Sequence, residues 1–172
     1  MQLAHPDHSK TVTKFPLIIL TDNIIGEANI GSIFRLADAF NIEKIIFTGS
    51  PVNLNSNRLK KTARSTFKYV AFEFIDNAVD IVQDLKLKGY KILALEITSD
   101  SLAINSLTYK NESKLLLILG NERSGVSSEL LKLTDKKLHI NMFGENSSMN
   151  VAQATGIALY EITKTLLPFQ DK

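Results

Sequence analysis

The chain contains no cysteine, which excludes disulfides, thiolate metal sites and a cysteine nucleophile and fits a reducing compartment. Glycine and proline are sparse, with 8 and 4 among 172 residues, too few for a collagen-like or linker-dominated chain. Long apolar runs are missing too. The longest, such as Leu115–Leu119, fall far short of the roughly 20 residues that span a bilayer. Residues 1–14 are polar, carry His5, Asp7 and His8, and show no secretory signal pattern. Three histidines (His5, His8 and His139) are scattered along the chain and form no metal triad. There is no GxGxxG run and no Walker loop, so a dinucleotide or phosphate-gripping site of those types has no support. The net charge is only +2, milder than most dedicated nucleic-acid-binding domains. These absences predict a soluble, cytoplasmic protein with no membrane segment and no metal.

What is present is an ordinary globular composition, 44% hydrophobic and 22% charged, sufficient for one domain with a real core. Residues 1–14 read as a loose arm and 15–172 as a single domain. The apolar run 15–20 predicts a strand. Ile30, Ile33, Phe34, Ala37 and Phe40 then recur at helical spacing. Residues 44–48 read as a second strand, ended by Gly49, Ser50 and Pro51. A polar, basic stretch from 53 to 68 precedes a strand at 69–74. Asp76 is the expected N-cap of a helix through 88, with Gly89 just past its end. Strands are predicted at 91–97, 114–119 and 138–142, a short helix at 128–133 and a closing helix at 149–167. Such alternation predicts an α/β fold, a parallel sheet flanked by helices.

Ligands of open parallel sheets bind beyond the carboxyl ends of the strands, so the loops after Leu20, Ile97, Leu119 and Met142 should hold the chemistry. Two of them combine glycine with hydroxyl and amide side chains. One is Gly120-Asn121-Glu122-Arg123-Ser124-Gly125, the other Phe143-Gly144-Glu145-Asn146-Ser147-Ser148-Met149-Asn150. Loops of this composition wrap polar small molecules with backbone groups, though they also serve as plain strand–helix turns with caps. Arg58, Lys60, Lys61, Arg64 and Lys68 cluster with no acid between them.

Three segments together resemble the SpoU (TrmH-like) ribose methyltransferases of the SPOUT class. They are Asn29-Ile30-Gly31-Ser32-Ile33-Phe34-Arg35-Leu36-Ala37, then Leu119-Gly120-Asn121-Glu122-Arg123-Ser124-Gly125-Val126-Ser127, then Ile140-Asn141-Met142 with Gly144, Ser148-Met149-Asn150-Val151-Ala152 and Leu159-Tyr160-Glu161. The match runs in the family's order from Phe15 onward. Asn141 stands where the family commonly has proline and Met149 where it commonly has leucine; neither change removes a proposed chemical group.

The resemblance implies methyl transfer from S-adenosylmethionine to a ribose 2′-hydroxyl of tRNA or rRNA. It implies a C-terminal trefoil knot around the cofactor pocket and a homodimer, with helix 149–167 in the interface. It places Arg35, Asn29, Glu122, Ser148 and Asn150 in the catalytic set. Arg35 would act either as a base or, more conservatively for a guanidinium, as a clamp that binds phosphate and stabilises the developing alkoxide. Asn29 would cap its helix or position Arg35, the two lying on similar sides of the helix. Glu122 would face the sulfonium, brace its loop or contact Asn29. Leu95, Ile97, Thr98, Gly120, Asn121, Glu122, Ile140, Met142, Ser148 and Met149 would form the cofactor pocket. Arg35, Arg58, Lys60, Lys61 and Arg64 would contact RNA. The small residues Ala152, Ala154, Gly156 and Ala158 point to close approach of another backbone. A chain that is nearly a bare catalytic domain leans towards tRNA. Two alternatives stay open: a non-catalytic RNA-binding module on the same fold, and a SPOUT-type base methyltransferase.

Overall fold

The computed structural model describes residues 14–108 and 113–166. The predicted arm up to residue 13, with His5 and His8, and the end of the closing helix at 167 lie outside the described residues. Seven strands form one sheet: β1 (Phe15–Asp22), β2 (Ile42–Thr48), β3 (Phe72–Ile75), β4 (Lys91–Leu95), β5 (Leu102–Ala103), β6 (Leu115–Leu119) and β7 (Lys136–His139). Their spatial order is β3-β2-β1-β6-β4-β7-β5, and every pairing is parallel. Ile19 sits opposite both Ile45 and Leu117, and Leu117 opposite Leu93. The one register irregularity in β1 falls between Phe15 and Ile18, beside Pro16, which has no N–H for the ladder.

The helices are α1 (Glu27–Ala39), α2 (Asn57–Ala63), α3 (Ala78–Leu87), α4 (Ser128–Leu133) and α5 (Val151–Leu166). Alternate strand residues face opposite layers. Leu17, Ile19, Ile45, Phe47 and Leu117 pack with Ile33 and Phe34 of α1, Leu59 of α2 and Leu159 of α5. Ile18, Leu20, Ile46, Leu116 and Ile118 pack with Val82 of α3 and Leu130 of α4. Covering on both sides explains why β6 reads Leu-Leu-Leu-Ile-Leu, wholly buried, instead of alternating apolar and polar.

The expected α/β class holds, with differences at element ends. α3 is capped by Asn77 rather than Asp76. The Asn77 side chain accepts from the N–H groups of Val79 (3.0 Å) and Asp80 (3.2 Å) and donates to the Asp80 carboxylate. Gly89, at φ +86°, follows its end as predicted. β3 starts later than expected, because Arg64 and Ser65 take left-handed conformations and a short 3-10 turn occupies Thr66–Lys68. β7 runs Lys136–His139, so Ile140 and Met142 leave the sheet. α2 lies inside the stretch read only as polar. Leu59 and Ala63 alone are buried there, too little apolar surface for a helical period to stand out.

On α5, Ala152 and Ala158 are core residues. Gly156 faces α1, where an added Cβ would lie 3.4 Å from Leu36. The close approach at Gly156 is therefore to α1 of the same chain. Among the described residues no helix is long and apolar enough to cross a membrane.

Candidate active site

The loops after β1 and β6 are joined by a run of hydrogen bonds. Asp22, ending β1, accepts from the N–H of Ser127 at 2.7 Å. The Asn121 amide donates to the carbonyl of Asn23 at 2.7 Å while its oxygen accepts from the N–H groups of Arg123 (2.9 Å) and Ser124 (3.2 Å). Its backbone exchanges two 3.0 Å hydrogen bonds with Gly125. Gly125 sits at φ +69°, and a Cβ there would fall 2.3 Å from the Glu96 carboxylate. Only glycine fits this turn on both counts.

Glu122 reaches across to α1. Its Oε1 accepts from the N–H of Gly26 (3.0 Å) and from Nδ2 of Asn29 (2.8 Å), and its Oε2 takes a long contact from the N–H of Ile25. α1 has Gly26 at its N-cap, with no side chain to satisfy the first N–H groups. The carboxylate supplies that acceptor from another loop, at the end of the helix that favours negative charge. Partial burial by itself would raise the Glu122 pKa. The hydrogen bonds from the Asn29 amide and the backbone outweigh it, and the net shift is downward from 4.5. Glu122 is thus held as a carboxylate that braces the loop and contacts Asn29.

Asn29 is not the N-cap of α1; it lies in the first turn. Its Oδ1 accepts from Nδ2 of Asn150 at 2.8 Å. Asn150 in turn starts α5, its Oδ1 accepting from the N–H groups of Ala152 (2.9 Å) and Gln153 (3.3 Å). Glu122, Asn29 and Asn150 therefore form one chain linking three segments distant in sequence. Asn29 and Arg35 do not share a face of α1. Six residues at about 100° each leave them roughly 120° apart, and Arg35 is exposed with no side-chain partner among the described residues.

Beside this chain lies a cavity of about 340 Å³ at the carboxyl ends of β4, β6 and β7, within the range of small-molecule sites. Of the residues predicted for the cofactor, Leu95, Ile97, Gly120, Asn121, Glu122, Ile140, Met142, Ser148 and Met149 line it, with Asn150 beside them. Thr98 does not. Its N–H donates to Ser101 Oγ and its hydroxyl to Asp100, closing the turn after β4. Arg35 does not line the cavity either; the guanidinium-bearing residue that does is Arg123.

The sequence reading missed Glu96, His139 and Asn23. Glu96 lines the cavity and accepts from the N–H of Val126 at 2.8 Å; an acid directly after an apolar strand was the available signal. His139 also lines it, with Nδ1 2.9 Å from Ser101 Oγ and Nε2 3.2 Å from Asn141 Oδ1. Asn23, at φ +56°, accepts from both the N–H and the hydroxyl of Ser50. No group of three or more His, Asp or Glu side chains placed to hold a metal occurs among the described residues. Arg58, Lys60, Lys61 and Arg64 are exposed on and just after α2, and none has an ion-pair partner among the described residues.

A doubly covered parallel sheet with a cavity at its carboxyl edge defines an α/β ligand-binding domain, and comparison with known proteins makes the class specific. The family model described as the SpoU rRNA Methylase family matches residues 16–160, and the chain belongs to that family. It is 32% identical to a tRNA (guanosine(18)-2′-O)-methyltransferase of Aquifex aeolicus, over 84% of this chain and 67% of that protein. The solved A. aeolicus TrmH/SpoU tRNA modifying enzyme superposes with a TM-score of 0.80 at 30% identity, covering 88% of this chain and 76% of that one. An AdoMet-bound rRNA methyltransferase from Sinorhizobium meliloti superposes with a TM-score of 0.81 at 25% identity, covering 91% of this chain and 59% of that one.

Proposed function

We propose that this chain transfers the methyl group of S-adenosylmethionine to a ribose 2′-hydroxyl of structured RNA, with tRNA favoured over rRNA. The observation that carries the reading is the cavity at the carboxyl ends of β4, β6 and β7 with the Glu122–Asn29–Asn150 chain at its rim.

The residues present fit the cofactor. Leu95, Ile97, Ile140, Met142 and Met149 give apolar walls for an adenine ring, and the backbone of 119–125 offers donors and acceptors. Glu96 and Glu122 place two carboxylates around the cavity, a favourable field for a cation. When bound, the cofactor supplies an electrophilic methyl on a sulfonium. The chain's own part is alignment. Glu122 holds Asn29, Asn29 holds Asn150, and these fix the loops against which the ribose is set. Alignment of this kind is worth roughly 7–11 kcal/mol of barrier. Ser148, exposed beside Asn150, offers a hydroxyl to the substrate. Arg35 binds a substrate phosphate and stabilises the developing alkoxide, a role suited to a planar guanidinium fork.

The exposed cations Arg58, Lys60, Lys61 and Arg64 form the RNA-backbone surface. The active unit is a cytoplasmic homodimer with the family's C-terminal trefoil knot. α5 supports the dimer, since Ile157 and Tyr160 remain exposed on it, Tyr160 at 60%. The test is incubation with labelled S-adenosylmethionine and cellular RNA, followed by mapping of the label. Label is expected in ribose, and Arg35→Ala or Arg35→Lys is expected to lower kcat at least about hundredfold. Label in bases points to a base methyltransferase, and cofactor binding without transfer to a non-catalytic RNA-binding module.

A further inference from the structure

A second cleft, of about 290 Å³, opens at the carboxyl ends of β2 and β3. Its walls are Phe47, Phe74 and the turn Gly49-Ser50-Pro51-Val52, and Asp76 stands at its edge. Phe74 stacks on Phe47, ring centroids 5.5 Å apart, and meets Phe72 edge-on, yet it stays 49% exposed. A flat aromatic side chain left half open beside a cleft is a stacking platform.

The polar side chains of the cleft, Ser50 and Asp76, present acceptors. Both the N–H and the hydroxyl hydrogen of Ser50 are committed to Asn23 Oδ1, at 3.0 and 2.7 Å, so the Ser50 oxygen has only lone pairs to offer. Asp76 is exposed and has no hydrogen-bond or ion-pair partner among the described residues. It does not cap α3, because Asn77 does. A carboxylate with both oxygens free matches a planar partner that presents two adjacent N–H donors. Among the four RNA bases that is guanine, through N1–H and the 2-amino group. Adenine, cytosine and uracil each place an acceptor beside their donor.

The cleft is coupled to the cofactor cavity through one residue. Asn23 holds Ser50 with its side chain and is held through its carbonyl by Asn121, which lines the cavity. Its Pro51–Val52 wall leads in sequence to α2 and the exposed cations Arg58, Lys60, Lys61 and Arg64. We propose that this cleft binds an unstacked guanine of the substrate RNA, stacked on Phe74 and read by Asp76. The inference rests on the RNA methyltransferase reading above.

The test uses fluorescence anisotropy with a labelled eight-residue oligouridylate carrying one central guanosine, inosine or adenosine. The whole chain binds the guanosine probe most tightly, and inosine, which lacks the 2-amino group, more weakly. Asp76→Asn removes the difference between guanosine and inosine. Phe74→Ala weakens binding of the guanosine probe by about tenfold. Phe74→Leu, which keeps apolar volume on the sheet, does the same, so the loss is separable from misfolding. Affinity for S-adenosylmethionine is unchanged in all three variants. Equal affinity of the wild type for the three probes overturns the proposal, as does wild-type binding by Phe74→Leu. If the wild type methylates RNA and the variants bind and methylate alike, the cleft assignment alone falls. If the wild type methylates no RNA, the enzyme reading falls and the cleft with it.

Discussion

Residues 120–127 and residues 140–149 bound the same cavity, yet they are held in different ways. The first stretch is anchored through Asn121, Glu122, Val126 and Ser127 to the end of β1, the start of α1 and the end of β4. The second is mostly exposed, with Phe143 at 96%, and the tie at its end is Asn150, which grips Asn29 and caps α5. Few buried contacts and few hydrogen bonds mean low local stability. The 120–127 wall is fixed by the rest of the fold, whereas the 140–149 wall is held less firmly. A cofactor or partner that orders it contributes differential binding energy there and little at the other wall.

Breaking the anchored wall has the largest expected effect. Gly120→Ala drives a Cβ to 2.3 Å from the carbonyl carbon of Gly125, for which we expect about 3 kcal/mol of destabilisation in urea unfolding and no cofactor binding by calorimetry. Next is the link between the walls. Asn29→Ala leaves both loops in place but unjoined, and methyl transfer should fall about hundredfold while cofactor affinity changes little, measured by steady-state kinetics. Asn150→Ala should cost about 1 kcal/mol through the lost cap, read from thermal melts. Asn150→Ser sharpens this: serine restores the cap and the stability, but not the bond to Asn29 or the activity.

The smallest effect is acidic. Glu122 has a lowered pKa in the folded state, so the unfolded chain binds the proton more readily. Its contribution is complete above about 4.5 and is lost as pH falls through the folded value. Melting temperature should drop as pH falls below about 4.5, and the drop should be smaller in Glu122→Gln.

Much of this was legible in residue patterns. Ser128–Leu133 matched α4 at both ends, and Leu115–Leu119 is β6, because a buried parallel strand reads as an unbroken apolar run. The two Gly-containing loops were recognisable by composition. Asp76 and Asn77 show the limit: either is a good cap, and choosing between them needs the Asn77–Asp80 reciprocation and the cleft that Asp76 borders. Asn23 carries no local signature and Glu96 only that of an acid directly after an apolar strand, since their value lies in contacts with Ser50, Asn121 and Val126. Thr98 fitted an apolar wall by position and left it through hydrogen bonds two and three residues away.

The sequence by itself determined the alternation of strand and helix, the places where loops meet strand ends, and the chemical types available there. Those follow from apolar period and turn chemistry, which are local. Tertiary structure alone decided that Glu122 caps a helix almost a hundred residues away in the chain, that Asn150 closes on Asn29, and that Arg123, not Arg35, lines the cavity. Such pairings depend on strand order, which placed β6 beside β1, and no short-range pattern encodes which distant loops a sheet brings together.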